Sequence, residues 1–320
     1  AMALCLVGSE MCIRDSKTFL RNALTYKLWE EQGHYASRHR YLELFVDGSY
    51  RGVYLLMEKI KRDNNRVDIE KLTPADNTGD AVTGGYMLIL DWNEEPGFNS
   101  NFNAVGGGPL FIQYVDPKPA DITPQQTAYI STYIDSFEVA LNASNFTHPS
   151  GKHYSEFIDA ASFADVLILN ELSKNVDGYK LSTYIYKDRT NNGGKLTAGP
   201  VWDYNIAWFN ADYCDGGSHM GFVYDENKCE DLDLMPFWWE RLLDDSWFQD
   251  LLQCRWQAQR QTILDETYLH DYIDSMALLL EGGQQRNWTI NDITDETWGH
   301  PVPPPGTYAA AIQNVNTWST

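Results

Sequence analysis

The chain has 320 residues, of which 43% are hydrophobic and 13% aromatic, and its formal net charge is −21. The length suits one large domain or two lobes, and the apolar content excludes an intrinsically disordered chain. The charge argues against nucleic-acid binding, which depends on clusters of Lys and Arg, and no apolar run reaches the ~20 residues of a membrane span. This composition is typical of a secreted globular protein, or of one with a site that attracts cations.

The first 16 residues differ in character from the rest. The opening Ala-Met-Ala resembles a cloning scar, and the following residues resemble a translated sequencing adapter of the kind that contaminates metagenomic reading frames. We therefore exclude residues 1–16 from the fold and expect a single domain over residues 17–320.

The amino-terminal elements follow clear local signals. Residues 19–28 carry an apolar stripe at helical spacing, which Gly33 ends. Residues 41–46 and 50–58 predict two strands joined by a tight turn at Asp47-Gly48, and a basic stretch follows at residues 59–66.

The middle of the chain predicts buried strands and one capped helix. Residues 84–92 form a continuous apolar strand pattern, and residues 110–112 resume a strand after a stretch rich in Gly and Asn. Thr123 is placed to cap a helix that runs to about residue 141, with Pro124 at its first position.

Residues 170–210 contain most of the candidate functional residues. A helix over residues 163–172 is expected to end at Ser173-Lys174-Asn175, just before Gly178, and strands at 182–187 and 195–198 form a hairpin. The loop after the helix carries Asp177 and the loop after the hairpin carries Asp203. Because hairpin geometry returns the chain to its starting end, we expect the two carboxylates to converge.

The carboxyl-terminal third predicts helices. An acidic loop spans residues 211–233, and aromatic residues at helical spacing over 236–252 are more typical of a core than of a cofactor site. Helical patterns continue over 254–280 and 308–318, separated by a proline-rich crossing.

The cysteines form no metal-ligand pattern. Cys214 and Cys229 enclose the acidic loop, and the spacing leaves open whether they pair in an oxidising compartment. Cys254 is predicted to be a buried small hydrophobic residue.

Several motifs resemble the CotH (spore-coat protein H) kinase-like family of bacteria. The family motif N-x-D, a strand ending in Y-x-Y, and a G-P-x-W-D segment match residues 175–177, 184–186 and 199–203. The flanking matches are residues 48–58, 84–86 and 239–260. The resemblance covers about residues 17–318, and it implies that the chain lacks part of the family's domain at both ends.

The resemblance implies an α+β, atypical protein-kinase-like fold. A reduced, β-rich N-lobe would occupy about residues 17–120, and a helical C-lobe about residues 121–320. The expected activity is transfer of a phosphoryl group from ATP, with Mg²⁺, to a secreted or surface protein.

The same resemblance assigns site residues. Asp203 stands at the metal-binding position, and Asn205 replaces a second acid there. Asp177 stands at the catalytic-loop position, with Asn175 orienting the loop and Glu58 contributing from the N-lobe. Candidate nucleotide contacts are Lys59 and Lys61, which would have to replace lysines of the missing N-terminal strands. Ser182 is a further candidate, at a position where many relatives carry a ligand-type Asn.

Two alternatives stay open. Eleven Trp, 19 Tyr and an acidic balance also suit a secreted carbohydrate-active protein acting on a polysaccharide. Its paired acids would be Asp177 with Asp203, or Glu58 with Asp91. The third interpretation is a non-catalytic, pseudokinase-like module for surface or coat assembly, which the lost acid at Asn205 favours. All three imply an extracellular or cell-surface location.

Overall fold

The computed structural model describes residues 10–13, 16–225, 234–293 and 305–319. A three-stranded antiparallel sheet contains β1 (Glu10–Ile13), β2 (His39–Val46) and β3 (Ser49–Glu58), in the order β1-β3-β2. The β2–β3 turn at Asp47-Gly48 has φ of 50° and 76°, the left-handed values that a two-residue hairpin turn requires. The predicted hairpin is confirmed.

The strand β1 falls within the segment that the sequence excluded from the fold. It pairs antiparallel with β3, with Glu10 opposite Glu58 and Ile13 opposite Leu55. An exposed strand edge offers unpaired backbone groups to any extended segment. The foreign origin of residues 1–16 stays a prediction, but part of the segment does join a sheet.

A second, five-stranded antiparallel sheet forms the middle of the molecule. It contains β4 (Tyr86–Leu90), β5 (Gly97–Asn103), β6 (Pro109–Asp116), β7 (Thr183–Lys187) and β8 (Leu196–Ala198), in the order β5-β6-β4-β7-β8. The continuous apolar run of β4 lies near the centre, as expected of a strand covered on both faces. Strands from both sides of the predicted lobe boundary share this sheet, so the division at residue 120 stays a prediction.

Three helices lie in the first two thirds of the chain, and the second and third of them contact strands of this sheet. The helix α1 (Arg21–Glu31) buries eight of its eleven residues, including polar ones, instead of presenting a single apolar stripe. The helix α2 (Pro124–Asn142) begins with a complete capping box between Thr123 and Gln126, which confirms the predicted start. The helix α3 (Ala160–Ser173) leads into the chemically rich segment.

Four further helices complete the carboxyl-terminal part: α4 (Trp238–Asp244), α5 (Ser246–Arg260), α6 (Glu266–Ile290) and α7 (Tyr308–Trp318). The helical conformation is interrupted between α4 and α5 at Asp245, whose carboxylate accepts the backbone N–H of Trp247 at 3.2 Å. Trp238, Trp239 and Phe248 are fully buried, which confirms the core role of this aromatic group. Trp247 is an exception, since it is 47% exposed.

The cysteine predictions have mixed outcomes. Cys254 is exposed on α5, so the prediction that it is buried was wrong; helical spacing alone did not show which face of α5 meets the core. Cys214 takes part in a disulfide, and Cys229 lies outside the described residues.

The arrangement confirms the predicted α+β class, with helices and antiparallel sheets combined in one fold. Among the described residues, no helix combines the length and the apolar character that crossing a bilayer requires.

Candidate active site

Strained backbone is concentrated in one segment. Of the eleven described non-glycine residues with positive φ, eight lie between residues 174 and 215. Such conformations cost free energy and persist where the surrounding structure enforces them, which is common at functional sites. The eight are Lys174, Tyr179, Ser182, Asp203, Trp208, Phe209, Cys214 and Asp215.

The helix α3 ends at Ser173, which confirms the predicted end at Ser173-Lys174-Asn175. Its C-cap is Lys174 in the left-handed conformation (φ 50°), and not the nearby Gly178. The Lys174 ammonium donates to the carbonyls of Met220 and Gly221 at 3.0 and 3.1 Å, which holds this unusual cap in place. Gly178 serves packing instead, because a Cβ there would lie 2.7 Å from the Asn170 side chain.

The Tyr204 hydroxyl joins the two loops. It donates to Asn170 Oδ1 at 2.6 Å, and it also hydrogen-bonds to the Asn175 side chain. Asn175 in turn accepts the backbone N–H of Asp177 at 3.4 Å. All three polar side chains that meet here are buried. The loop after α3 is therefore tied to the segment that carries Asp203.

The polar residues of α1 hold the same segment from the other side. Asn22 Oδ1 accepts the backbone N–H of Tyr204 at 2.7 Å, and Thr25 Oγ1 accepts the indole N–H of Trp208 at 2.8 Å. These contacts explain why a helix with polar residues is buried on most of its surface. They also fix the chain that follows Asp203, which has φ 61°.

A close approach between α1 and the Gly-Pro turn requires glycine at residue 199. Gly199 has φ of 100°, and a Cβ there would lie 2.4 Å from the Trp29 ring. The motif glycine therefore allows the turn before Asp203 to lie against α1.

The two candidate carboxylates lie in different surroundings. Asp203 is exposed. The pKa of the Tyr184 hydroxyl is raised first by burial, then by the charge of Asp91 and then by the charge of Asp203. Asp177 is half-buried, and burial followed by the Asp177 charge raises the pKa of Tyr213 to about 12. The loops meet as expected. That both carboxylates face one cation stays a prediction.

Asp91 is a neighbour that the kinase-like interpretation missed. It follows β4 directly, and its carboxylate accepts the backbone N–H groups of Trp92 and Ser182. Burial raises its pKa, against those hydrogen bonds. Asp91 thereby holds Ser182 in its left-handed conformation (φ 49°) close to Tyr184. A charged residue directly after a buried apolar strand was the available signal.

A small cavity of about 20 Å³ lies between the joined loops. Its lining includes Asn175, Ser182, Tyr184, Trp202 and Tyr204. This volume suits about one water molecule. A nucleotide would therefore have to bind outside it, on the solvent side where Asp203 is exposed.

Comparison with known proteins assigns the family. The model of the CotH kinase protein family matches residues 12–317, nearly the whole chain. The chain belongs to the CotH kinase family. It is also 27% identical over 176 residues to autophagy-related protein 11 of Debaryomyces hansenii, a match that covers 52% of this chain and 13% of that protein. The chain thus spans a small part of that relative, and the similarity transfers no activity.

Membership of the CotH family supports a kinase-like protein. The candidates expected in its N-lobe are Glu58, Lys59 and Lys61. Glu58 ends β3 and accepts hydrogen bonds from Arg38 at 2.8 and 2.5 Å. Burial alone would raise the pKa of Glu58, but Arg38 and then Arg66 lower it. Glu58 is therefore ionised and poorly suited as the general acid of a glycosidase. Lys59 is half-buried and Lys61 is exposed.

The oxygen donors at the expected metal position fit a hard cation. Asp203 offers an exposed carboxylate, and the half-buried Asn205 offers an amide oxygen two residues later. Across the described ranges there is no group of three or more His, Cys, Asp or Glu side chains that could hold a metal by itself. Mg²⁺ commonly binds through one or two carboxylates plus phosphate oxygens, so this donor set is sufficient only together with a nucleotide.

Proposed function

We propose that this CotH family member transfers a phosphoryl group from ATP to a secreted or cell-surface protein. The observation that carries the proposal is the Tyr204 hydroxyl, which ties the loop of Asp177 to the segment of Asp203 through Asn170 and Asn175. Phosphoryl transfer depends mainly on positioning and on charge stabilisation, so a rigid link between two carboxylate-bearing loops is what the chemistry needs.

The roles follow from exposure and contacts. Asp203 is exposed, and the backbone next to it is fixed by the hydrogen bond from Tyr204 to Asn22. Asp203 would bind a divalent cation together with Asn205. Asp177, half-buried on a loop ordered by Asn175, would accept the proton of the acceptor hydroxyl. When bound, Mg²⁺ would neutralise charge on the phosphates. Ser182, whose backbone N–H donates to the Asp91 carboxylate, would hold the start of β7 in position beside the site.

Two substitutions test these roles separately. Asp203→Ala should abolish Mg²⁺-dependent ATP binding in calorimetry while the protein stays folded, with its thermal midpoint lowered only by the cost of Ala at φ 61°. Asp177→Asn should keep ATP binding and lose transfer to a protein acceptor. Asp271→Ala, an exposed carboxylate on α6, is the matched control. Unchanged ATP binding in Asp203→Ala would remove Asp203 from the site.

A ligand screen separates this proposal from the other interpretations. A ligand that binds only the folded state must raise the unfolding midpoint. ATP with Mg²⁺ should raise it. A rise with oligosaccharides alone would favour a carbohydrate-active protein, and no rise with either would favour an assembly module.

A further inference from the structure

A second cavity, of about 180 Å³, lies beside Glu58 on the other side of the Gly-Pro turn. Its lining includes Arg66, Tyr35, Tyr186 and Pro200. The Arg66 side chain is 14% exposed, so its guanidinium lies in a largely enclosed space instead of bulk solvent. A buried cation beside a cavity attracts an anion more strongly than an exposed one does.

Arg66 is held in place by weak contacts. The carboxylate of Glu58 is engaged by Arg38 through two short hydrogen bonds, although the Arg38 side chain is 63% exposed. Arg66 lies 3.7 Å from the same carboxylate, and its Nη1 donates to the Lys59 carbonyl at 3.4 Å. Glu58 therefore orients Arg66 while leaving the stronger pairing to Arg38.

The strand β7 connects this cavity to Asp203. Tyr184 and Tyr186 are two residues apart, so they project from the same face of β7 about 7 Å from each other. The charge of Asp203 acts on Tyr184, and Arg66 shares its cavity with Tyr186. Pro200, which lines both cavities, precedes Asp203 by three residues. The Arg66 cavity and the surroundings of Asp203 are thus linked through neighbouring residues of β7 and through the Gly-Pro turn.

We propose that Arg66 binds a phosphate group in this cavity, in the role that Lys59 and Lys61 were expected to fill. A planar guanidinium can donate two parallel hydrogen bonds to phosphate oxygens, which an ammonium cannot. The one carboxylate among the lining residues is Asp68, which is exposed, so solvent reduces its repulsion of an anion to a small effect without removing it. The Glu58 carboxylate next to Arg66 is engaged by Arg38. That the phosphate belongs to ATP rests on the proposed function; the anion site itself does not.

The test measures binding of tripolyphosphate without metal, by calorimetry. Arg66→Met should weaken binding at least about tenfold, because it removes charge-assisted hydrogen bonds. Arg66→Lys should lie between it and the wild type. The control is Arg286→Met, which removes an exposed arginine that pairs with Glu43 and does not line this cavity, and it should change the affinity less than about threefold. Wild-type affinity in Arg66→Met, equal losses in both Met variants, or no binding to the wild-type protein would each overturn the inference.

A third variant keeps the test decisive if Arg66→Met does not fold. Asp68→Asn removes an exposed negative charge from the lining and should tighten tripolyphosphate binding by a few-fold, whereas an unchanged affinity would count against the site. The outcome also separates the two proposals. Arg66-dependent tripolyphosphate binding without any ATP-dependent transfer would leave the anion site and end the kinase proposal. If Asp203→Ala loses ATP binding while Arg66→Met still binds tripolyphosphate and ATP like the wild type, the kinase proposal would stand and the anion site at Arg66 would be ruled out.

Discussion

The Tyr204 hydroxyl is the contact whose removal is most informative. Tyr204 is 3% exposed, and its hydroxyl donates to Asn170 at 2.6 Å and contacts Asn175. Burial raises the pKa of this hydroxyl, so it remains a donor at neutral pH. Tyr204→Phe keeps the ring and removes that one donor.

The expected loss of stability follows from the acceptor that Tyr204→Phe leaves without its donor. Asn170 is 2% exposed, so its amide oxygen would be left buried without the donor it has now. Leaving a buried polar group unsatisfied costs about 1–3 kcal/mol, and we expect the free energy of unfolding to fall by that amount. Urea denaturation measures it: the midpoint should fall at unchanged m-value.

The control is Tyr133→Phe. Its hydroxyl donates to the Phe157 carbonyl at 2.8 Å from α2, so this change also removes one hydrogen bond. Both variants should lose stability, but only Tyr204→Phe should also reduce ATP-dependent transfer, by about tenfold or more, because loosened loops misplace the reacting groups. A stability loss below about 0.5 kcal/mol, or equal effects of both variants on transfer, would refute the role given to this hydroxyl.

Three further changes test the packing and the buried charges around the site. Gly199→Ala should cost roughly 2–4 kcal/mol of unfolding free energy, since a Cβ would combine a φ of 100° with a 2.4 Å approach to Trp29. Asp165→Asn should cost about 3 kcal/mol in the same assay, because the fully buried carboxylate accepts two hydrogen bonds from Arg255 that an amide cannot both accept. Glu138→Gln should remove a pH dependence: burial raises the pKa of Glu138 to about 7, so wild-type stability should decline from about pH 4.5 through pH 7 by up to roughly 3 kcal/mol.

Each of these has a matched comparison. Gly33→Ala places a Cβ at φ 96° with nothing within 4 Å, so the difference from Gly199→Ala isolates the contact with Trp29. Asp271→Asn changes an exposed carboxylate and should be nearly neutral; an equal loss in Asp165→Asn and Asp271→Asn would contradict the buried ion pair. For Glu138, urea unfolding at pH 5 and pH 8 decides, and the same slope in the Gln variant would contradict its titration.

Local signals in the sequence predicted most of the elements near the site. The Asp47-Gly48 hairpin, the Thr123 cap and the strands on both sides of residues 191–194 all depend on backbone preferences of a few adjacent residues. The strand β5 was missed because it is a half-exposed edge strand, GFNSNFN, whose polar residues resemble a loop. The end of α3 was predicted correctly, but its left-handed Lys174 cap was not, because a lysine holds that conformation here through hydrogen bonds to a distant loop.

The sequence by itself determined the family, the α+β class and which loops carry Asn175, Asp177 and Asp203, because motifs and turn residues act over short stretches of chain. Only the tertiary structure decided that Tyr204 ties those loops together, that Asp91 holds Ser182, and that Arg66 lines a cavity. These contacts of Tyr204 and Asp91 join residues 29 to 91 positions apart, and the Arg66 cavity is lined by separate elements of the fold. Such contacts depend on how strands and helices pack, and no local pattern encodes them.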